Sequence, residues 1–461
     1  QSTTSSFMRR PDELILSINV NGDEPGSLAS RLGYAVYGAA PEASSVLGLQ
    51  RYNDVTGGND NLFSYINGVI YRTSSGVQTG IQAGLLANAR AEFRQYLDQL
   101  FIVGADSSNN YLTTARIDGT TYSTGGNATG APRGRFIEVF GNLLYIADVE
   151  IGGVRYPDRF YWSSVPSFGN TITWDTSSTS EQSEVIPGEA ITGLHANQSV
   201  NELLIFKSNS MHAWDGFRIR NIANVGTDVG RSAVTVNYTT FFFKEGIGIY
   251  AYNGTVPRLI SRKIDKWILG ISDPTIAFGG NEMDRYYKLY IGNTTVDGVT
   301  YTNCEIRFSL LDNSFTIYSY AENFSVYANH EAGNVVRVYA GTDVGKIHQL
   351  AQGADAVYSD DGTAIASEFI FETDMGLPAE RKSVDRALIY TTRPQNLTGR
   401  IRVRDRNWST HFPINSDEYE ANVNPEDGRF IQWHFSCAQS VQPFKFEGVT
   451  FTPHLKTNKY A

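Results

Sequence analysis

Residues 201–216 read NELLIFKSNSMHAWDG, and residues 238–254 read YTTFFFKEGIGIYAYNG. Each is an aliphatic or aromatic run, a short polar turn, and a second run that ends in an aromatic residue followed by Asn/Asp–Gly. Looser copies occupy 62–76 (LFSYINGVIYRTSSG), 99–119, 142–165, 284–320 and 335–353. A run, a turn and a run make a strand pair, and one pair is too small to bury its own core. Sheets of such pairs bury their faces by stacking around an axis. The expected fold is therefore all-β, a β-propeller of six to seven blades.

The composition agrees with this reading. Tyr (26), Phe (25) and Gly (43) are abundant and the charged fraction is only 19%, which suits strands and turns more than helix bundles. The copies span 46–355, which is read as the propeller. Gly/Ser/Thr-rich insertions at 120–134 and 166–187 read as loops. After 355 the texture changes to alternating strands without the unit, so 356–461 is expected to be a β-sandwich-like platform domain. Residues 1–45 read as an arm and strands, with 13–37 available to pair with that C-terminal domain.

Two helices are expected. Ile81, Leu85, Leu86, Phe93 and Leu97 roughly fit a helical stripe over 81–100. Ile264, Trp267, Ile268 and Ile271 follow i, i+3, i+4, i+7 over 262–272, stopped by Asp273-Pro274.

The net charge of −10 lacks the basic footprint of a nucleic-acid binder. Cys304 and Cys437 are far apart and outside any CxxC pair, so they read as two thiols. No apolar run reaches the roughly 18–20 residues that span a bilayer, and QSTTSSFMRR has no apolar signal core.

Motifs for nucleophilic, zinc and nucleotide chemistry (GxSxG, HExxH, the P-loop, GxGxxG) are absent. No catalytic, cofactor or metal residue is assigned, and the chain is read as a non-enzyme without a cofactor. His212 lies in an apolar strand and reads as a satisfied core or rim histidine. Phe241-Phe242-Phe243 reads as a strand buried on both faces. Residues 358–363 (YSDDGT) read as a tight turn. The sharpest charge feature is RIRVRDR, where Arg400, Arg402, Arg404 and Arg406 share one face of a strand. It is either an interface strip that docks an acidic partner or grips a phosphate backbone, or a solvated face balanced by Asp385 or Glu380. Arg258, Arg262, Lys263 and Lys266 form a second basic cluster around the short helix.

Four stretches, in order, resemble the tail β-propeller proteins of double-stranded DNA bacteriophages. These are the nozzle or tail-hub proteins of short-tailed phages and their relatives. The stretches are NGDEPGSLASRLGYAVYG, with the segment running into SSVLGLQRYN and the first unit; LLYIADV…RFYWSSVPSFGNTITWD; the pair IPGEAITGLHANQSVNELLIFKSNSMHAWDG and VGRSAVTVNYTTFFFKEGIGIYAYNG; and GKIHQL…DGTAIASEFIFETDMGLPAERKSVDRALIY. The resemblance implies a structural subunit of the virion tail. Copies, typically six, would form a homo-oligomeric ring around the DNA channel and contact portal, adaptor and fibre proteins. DNA would pass during ejection without sequence-specific binding. Such a protein is made in the bacterial cytoplasm and ends in the virion. The competing expectation is a carbohydrate-binding or glycan-processing propeller.

Overall fold

A computed structural model describes residues 14–455, apart from 24–25, 75, 168–169, 178–180, 333–334, 353–354, 374–381, 393–395, 404–406, 423–429 and 440–443. The regular secondary structure of the described chain is almost entirely strand, with short helical turns. Seven four-strand antiparallel units follow one another. They are I (46–82), II (90–123), III (133–185), IV (191–223), V (234–259), VI (278–319) and VII (324–350 completed by Tyr34–Gly38). Five are separate sheets; VI and VII belong to one large 14-stranded sheet.

The recurring sequence unit is the middle of each sheet. Glu202–Lys207 and Met211–Trp214 are the second and third strands of IV, and Thr239–Lys244 and Gly248–Tyr252 those of V. The hairpin turns explain the polar punctuation. Asn67 and Gly68 both adopt positive φ (46° and 76°), the backbone that a two-residue hairpin turn requires. A side chain on Gly68 would also meet the Leu85 carbonyl oxygen at 2.4 Å.

The first strand of each sheet touches the first strand of the next, or the turn leading into it. The first strand of VII, Phe324–Ala332, returns to that of I, Val46–Asp54. The cores follow the same order, with one apolar cluster at each junction of successive sheets, including VII with I. Phe241 and Phe243 face the V/VI cluster and Phe242 the IV/V cluster, so this strand is buried on both faces.

The N-terminal strands divide between two tasks. Tyr34–Gly38, grouped in sequence with the N-terminal segment, pairs with Ile347–Leu350 as the fourth strand of VII. Val20–Asn21 and Leu28–Ser30 join Lys445–Leu455, Lys382–Thr392 and Glu418–Asn422 in a five-stranded sheet. Strands Thr363–Thr373, Ile431–Gln439 and Leu397–Val403 form the facing layer, and Trp433, Phe435, Phe369, Ile389 and Phe446 fill the core between them. Leu16–Ile18 lies between Phe315–Ser319 of VI and Thr363–Thr373, so that layer is continuous with VI.

The helix expected over 81–100 does not form. Val77–Gln82, Arg90–Tyr96 and Gln99–Ala105 are strands, and Leu97 and Asp98 take φ of 51° and 58° at a hairpin turn. Its apolar stripe gathers residues of three different elements, and the period-2 set Ala91 and Phe93 is what packs against sheet I. The second helix does form, as α1 (Asp265–Leu269) after a 3-10 turn at Ser261–Ile264. Ile264, Trp267 and Ile268 are buried, and Asp273 accepts from the Thr275 amide to start the next turn.

Candidate functional site

The first strands crowd the centre of the seven units. A Cβ on Gly193 would lie 2.6 Å from the Gly230 Cα, and one on Gly48 would lie 2.5 Å from the Ala91 carbonyl oxygen. Only glycine allows such backbone approach. Between these contacts lies a cavity of about 340 Å³, lined by Glu92, Arg94, His195, Arg231, Asn281 and Asn329 among others.

Arg94 forks onto Glu138 of sheet III through Nε (3.0 Å) and Nη2 (3.1 Å). Burial acts to raise the Glu138 carboxyl, but the Arg94 guanidinium overrides it and holds the group below the usual range. Burial raises the Glu92 carboxyl, and Arg94 offsets this only in part; its Oε2 accepts from the Ile137 amide at 3.2 Å. His195 Nε2 pairs with Thr235 Oγ1 at 2.8 Å, and burial pushes its imidazole down to about 4, which keeps it neutral at pH 7. Arg231, from the turn Gly230–Ser232, is brought down to about 9 by burial and by the neighbouring Arg90, against the pull of Glu92. The arrangement supplies fixed charges and hydrogen-bond donors.

These residues escaped sequence reading because they come from several different sheets and lie far apart along the chain. The one available signal is Arg90-x-Glu92-x-Arg94, charge at alternate positions of a strand that opens a sheet.

The arginine strip lies elsewhere. Arg400 and Arg402 are described; Arg404 and Arg406 lie outside the described residues, as do Glu380 and the side chain of Asp385. Arg400 and Arg402 do share a face, but it is not bare. Arg400 Nε donates to His434 Nδ1 (2.6 Å), Arg402 Nε donates to Gln432 Oε1 (2.7 Å), and both guanidiniums stack on Trp408 at 4.9 and 4.3 Å. Arg402 and Trp408 also border a cavity of about 370 Å³ with Asn407, Ser409, Thr410 and Phe412.

Two further clusters carry charge. Glu322, His348 and Asp361 bring potential metal-ligand atoms within 4.8 Å of one another. The Lys346 ammonium bonds Glu322 (2.6 Å) and Asp361 (3.3 Å), and so supplies the positive charge there itself. Between sheets VI and VII lies a buried network. Arg31 forks onto Asp360 at 2.8 and 2.6 Å, Lys288 bridges Glu282 and Glu305, and Arg307 pairs with Asp23 and Glu282 over the Tyr286 ring. The 358–363 stretch is the tight turn expected, with Asp361 and Gly362 at φ of 47° and 88° between Asp360 and Thr363. His212 is part-buried and hydrogen-bonded to Ser210 Oγ at 3.1 Å. Cys304 and Cys437 are both buried. Among the basic cluster near α1, Lys266 pairs with Asp297 at 2.8 Å.

No protein-family model matches the sequence, and no curated protein matches it. Among solved structures, two of the extracellular domain of a B. thetaiotaomicron protein are similar at 10% identity and a TM-score of 0.41. One describes that protein as a hybrid two component system and the other as a one component system. The alignments cover 76% and 74% of this chain but 46% and 45% of those chains, so this chain spans less than half their length. At that TM-score the likeness carries no argument about role. Among the described residues no helix is long and apolar enough to cross a membrane.

Proposed function

We propose that this chain is a seven-bladed β-propeller with a β-sandwich platform, and that it serves as a structural subunit of a bacteriophage tail. Copies assemble as a ring, the nozzle or hub around the DNA channel, and dock adaptor and fibre proteins. The observation that carries the proposal is the way the chain is tied together. Seven consecutive four-strand units meet in cyclic order, the seventh is clasped by Tyr34–Gly38, and Leu16–Ile18 makes the platform continuous with sheet VI. Among the described residues the platform layer and sheet VI are parts of one hydrogen-bonded sheet, which suits a wall element that holds its shape while DNA is expelled. The ordered resemblance of four sequence stretches supplies the tail assignment. Side-to-side contacts between identical blocks close a ring, and a chain of net charge −10 suits a lumen that repels phosphates. Electron microscopy of the particle that contains this chain tests the proposal. Density for a ring of copies below the portal supports it, and a strongly basic lumen contradicts a channel that repels DNA phosphates.

A second reading, a carbohydrate-binding propeller, draws on the Trp408 shelf, where an aromatic face and polar Asn407, Ser409 and Thr410 border one cavity. Glycan-array binding that is lost in Trp408→Ala would favour it.

A further inference from the structure

We propose that the axial cavity binds a small polyhydroxylated molecule, a monosaccharide, whose hydroxyls bridge sheets from opposite sides of the ring. Gln50, Glu92 and Asn329 line the cavity from the first strands of I, II and VII, which are consecutive around the ring. Arg231 lines it from the turn that leads into V, on the far side. Among the described residues the side chains of Gln50, Asn329 and Arg231 have neither a hydrogen bond nor an ion pair, and Glu92 is bonded through Oε2 alone, to the Ile137 amide. None of these unpaired atoms is sealed inside protein: each reaches open space, and the residues border the cavity.

The wall offers hydrogen bonds of both senses. The Arg231 guanidinium only donates, an ionised Glu92 only accepts, and the two amides do both. A hydroxyl donates and accepts, so a ring of hydroxyls answers every one of these groups. It also meets Glu92 in either protonation state, although burial raises that carboxyl. Charge gives a second reason. Arg94 is forked onto Glu138, and His195 is bonded to Thr235 and neutral at pH 7. Arg231 and Glu92 are the charged side chains left on the wall, one of each sign. The wall therefore carries no excess charge, which favours a neutral ligand over a free ion. Phe93, Phe278 and Tyr327 line the same cavity and supply apolar surface for the C–H face of a sugar ring. A volume of about 340 Å³ lies at the small end of ligand cavities. A sugar here is compatible with any use of the ring, and this cavity is separate from the one beside Trp408.

Calorimetric titration of the full chain with D-glucose, D-galactose and D-mannose in turn, and with inorganic phosphate as the charged comparison, tests it. The expected result is saturable binding of one molecule per chain for at least one hexose. Arg231→Gln should weaken that binding about tenfold, the loss of a charge-assisted hydrogen bond. Gln50→Ala and Asn329→Ala should each weaken it severalfold, and Trp408→Ala should leave it unchanged. Circular dichroism confirms that each variant is folded, and any one folded axial variant suffices if the others are not. No saturable hexose binding to the wild-type chain overturns the proposal, as does binding unchanged in the folded axial variants. Saturable phosphate binding that Arg231→Gln removes would make this an anion site and overturn it too. Hexose binding lost in Trp408→Ala but kept in the axial variants would place the sugar on the platform, against this proposal and for the second reading above.

Discussion

Arg31 and Asp360 are 2% and 4% exposed, so nearly all of both charges is buried at the junction of sheets VI and VII. Arg31 is also held by the Asn19 side chain and by the carbonyls of Leu32 and Ser319. A buried pair contributes little over an apolar substitute, but losing one partner strands the other. Asp360→Asn is therefore expected to lower stability by about 3–5 kcal/mol. A urea-denaturation midpoint close to that of wild type would refute this. His195 supplies a pH dependence. Its folded pKa, about 4, lies below the ordinary 6.5, so the unfolded chain binds the proton more readily between these values. Its contribution is fully present above pH 6.5 and is lost as pH falls towards 4. Allowing for its partial exposure, about 1 kcal/mol should disappear between pH 7 and pH 5. His195→Gln should flatten that part of the stability profile, and an unchanged profile would exclude the imidazole as its source. Neither pair of partners was legible in the sequence, because 329 positions separate Arg31 from Asp360 and 40 separate His195 from Thr235.

Among the elements, the middle strand pairs were the legible part. Runs such as 203–206 and 241–243 announce strands because their apolar residues are continuous and bounded by turn residues. Polar or glycine-bearing first strands were harder to read. Arg90–Tyr96 carries charge at alternate positions, and its turn uses Leu97 and Asp98 where glycine or asparagine would have marked it, so the segment passed for a helix. The role of Tyr34–Gly38 was hidden too, since its partner lies over 300 residues away. Exchanging 34–38 for a Gly/Ser segment is expected to remove the ladder bonds that hold Ile347–Leu350. Hydrogen exchange at Ile347–Leu350 should then speed up well before exchange in sheets II to IV. Uniform exchange across all the sheets would show that the ring is not held at this seam.

The molecule as a whole combines a repeating part and a woven part, and they were unequally readable. A repeat declares itself because each copy makes the same local contacts, so the all-β class followed from the chain itself. The second unit is assembled from both chain ends, and no local pattern states that Leu28 pairs with Phe446 or Leu16 with Ile370. The axial charges were hard to read for the same reason: the partners of Glu92 and Arg94 on sheet II come from sheets III, IV and the turn before V. The arginine strip was readable as a face, but its neighbours Trp408, His434 and Gln432 were not. The central claim is that this clasped block is one wall segment of a larger ring, and single-particle electron microscopy of the native particle tests it most directly. The account predicts several copies side by side around an open channel, each with seven four-strand blades and the platform fixed to the sixth. An isolated monomer with no ring contacts, or a platform that moves freely against the blades, would contradict it.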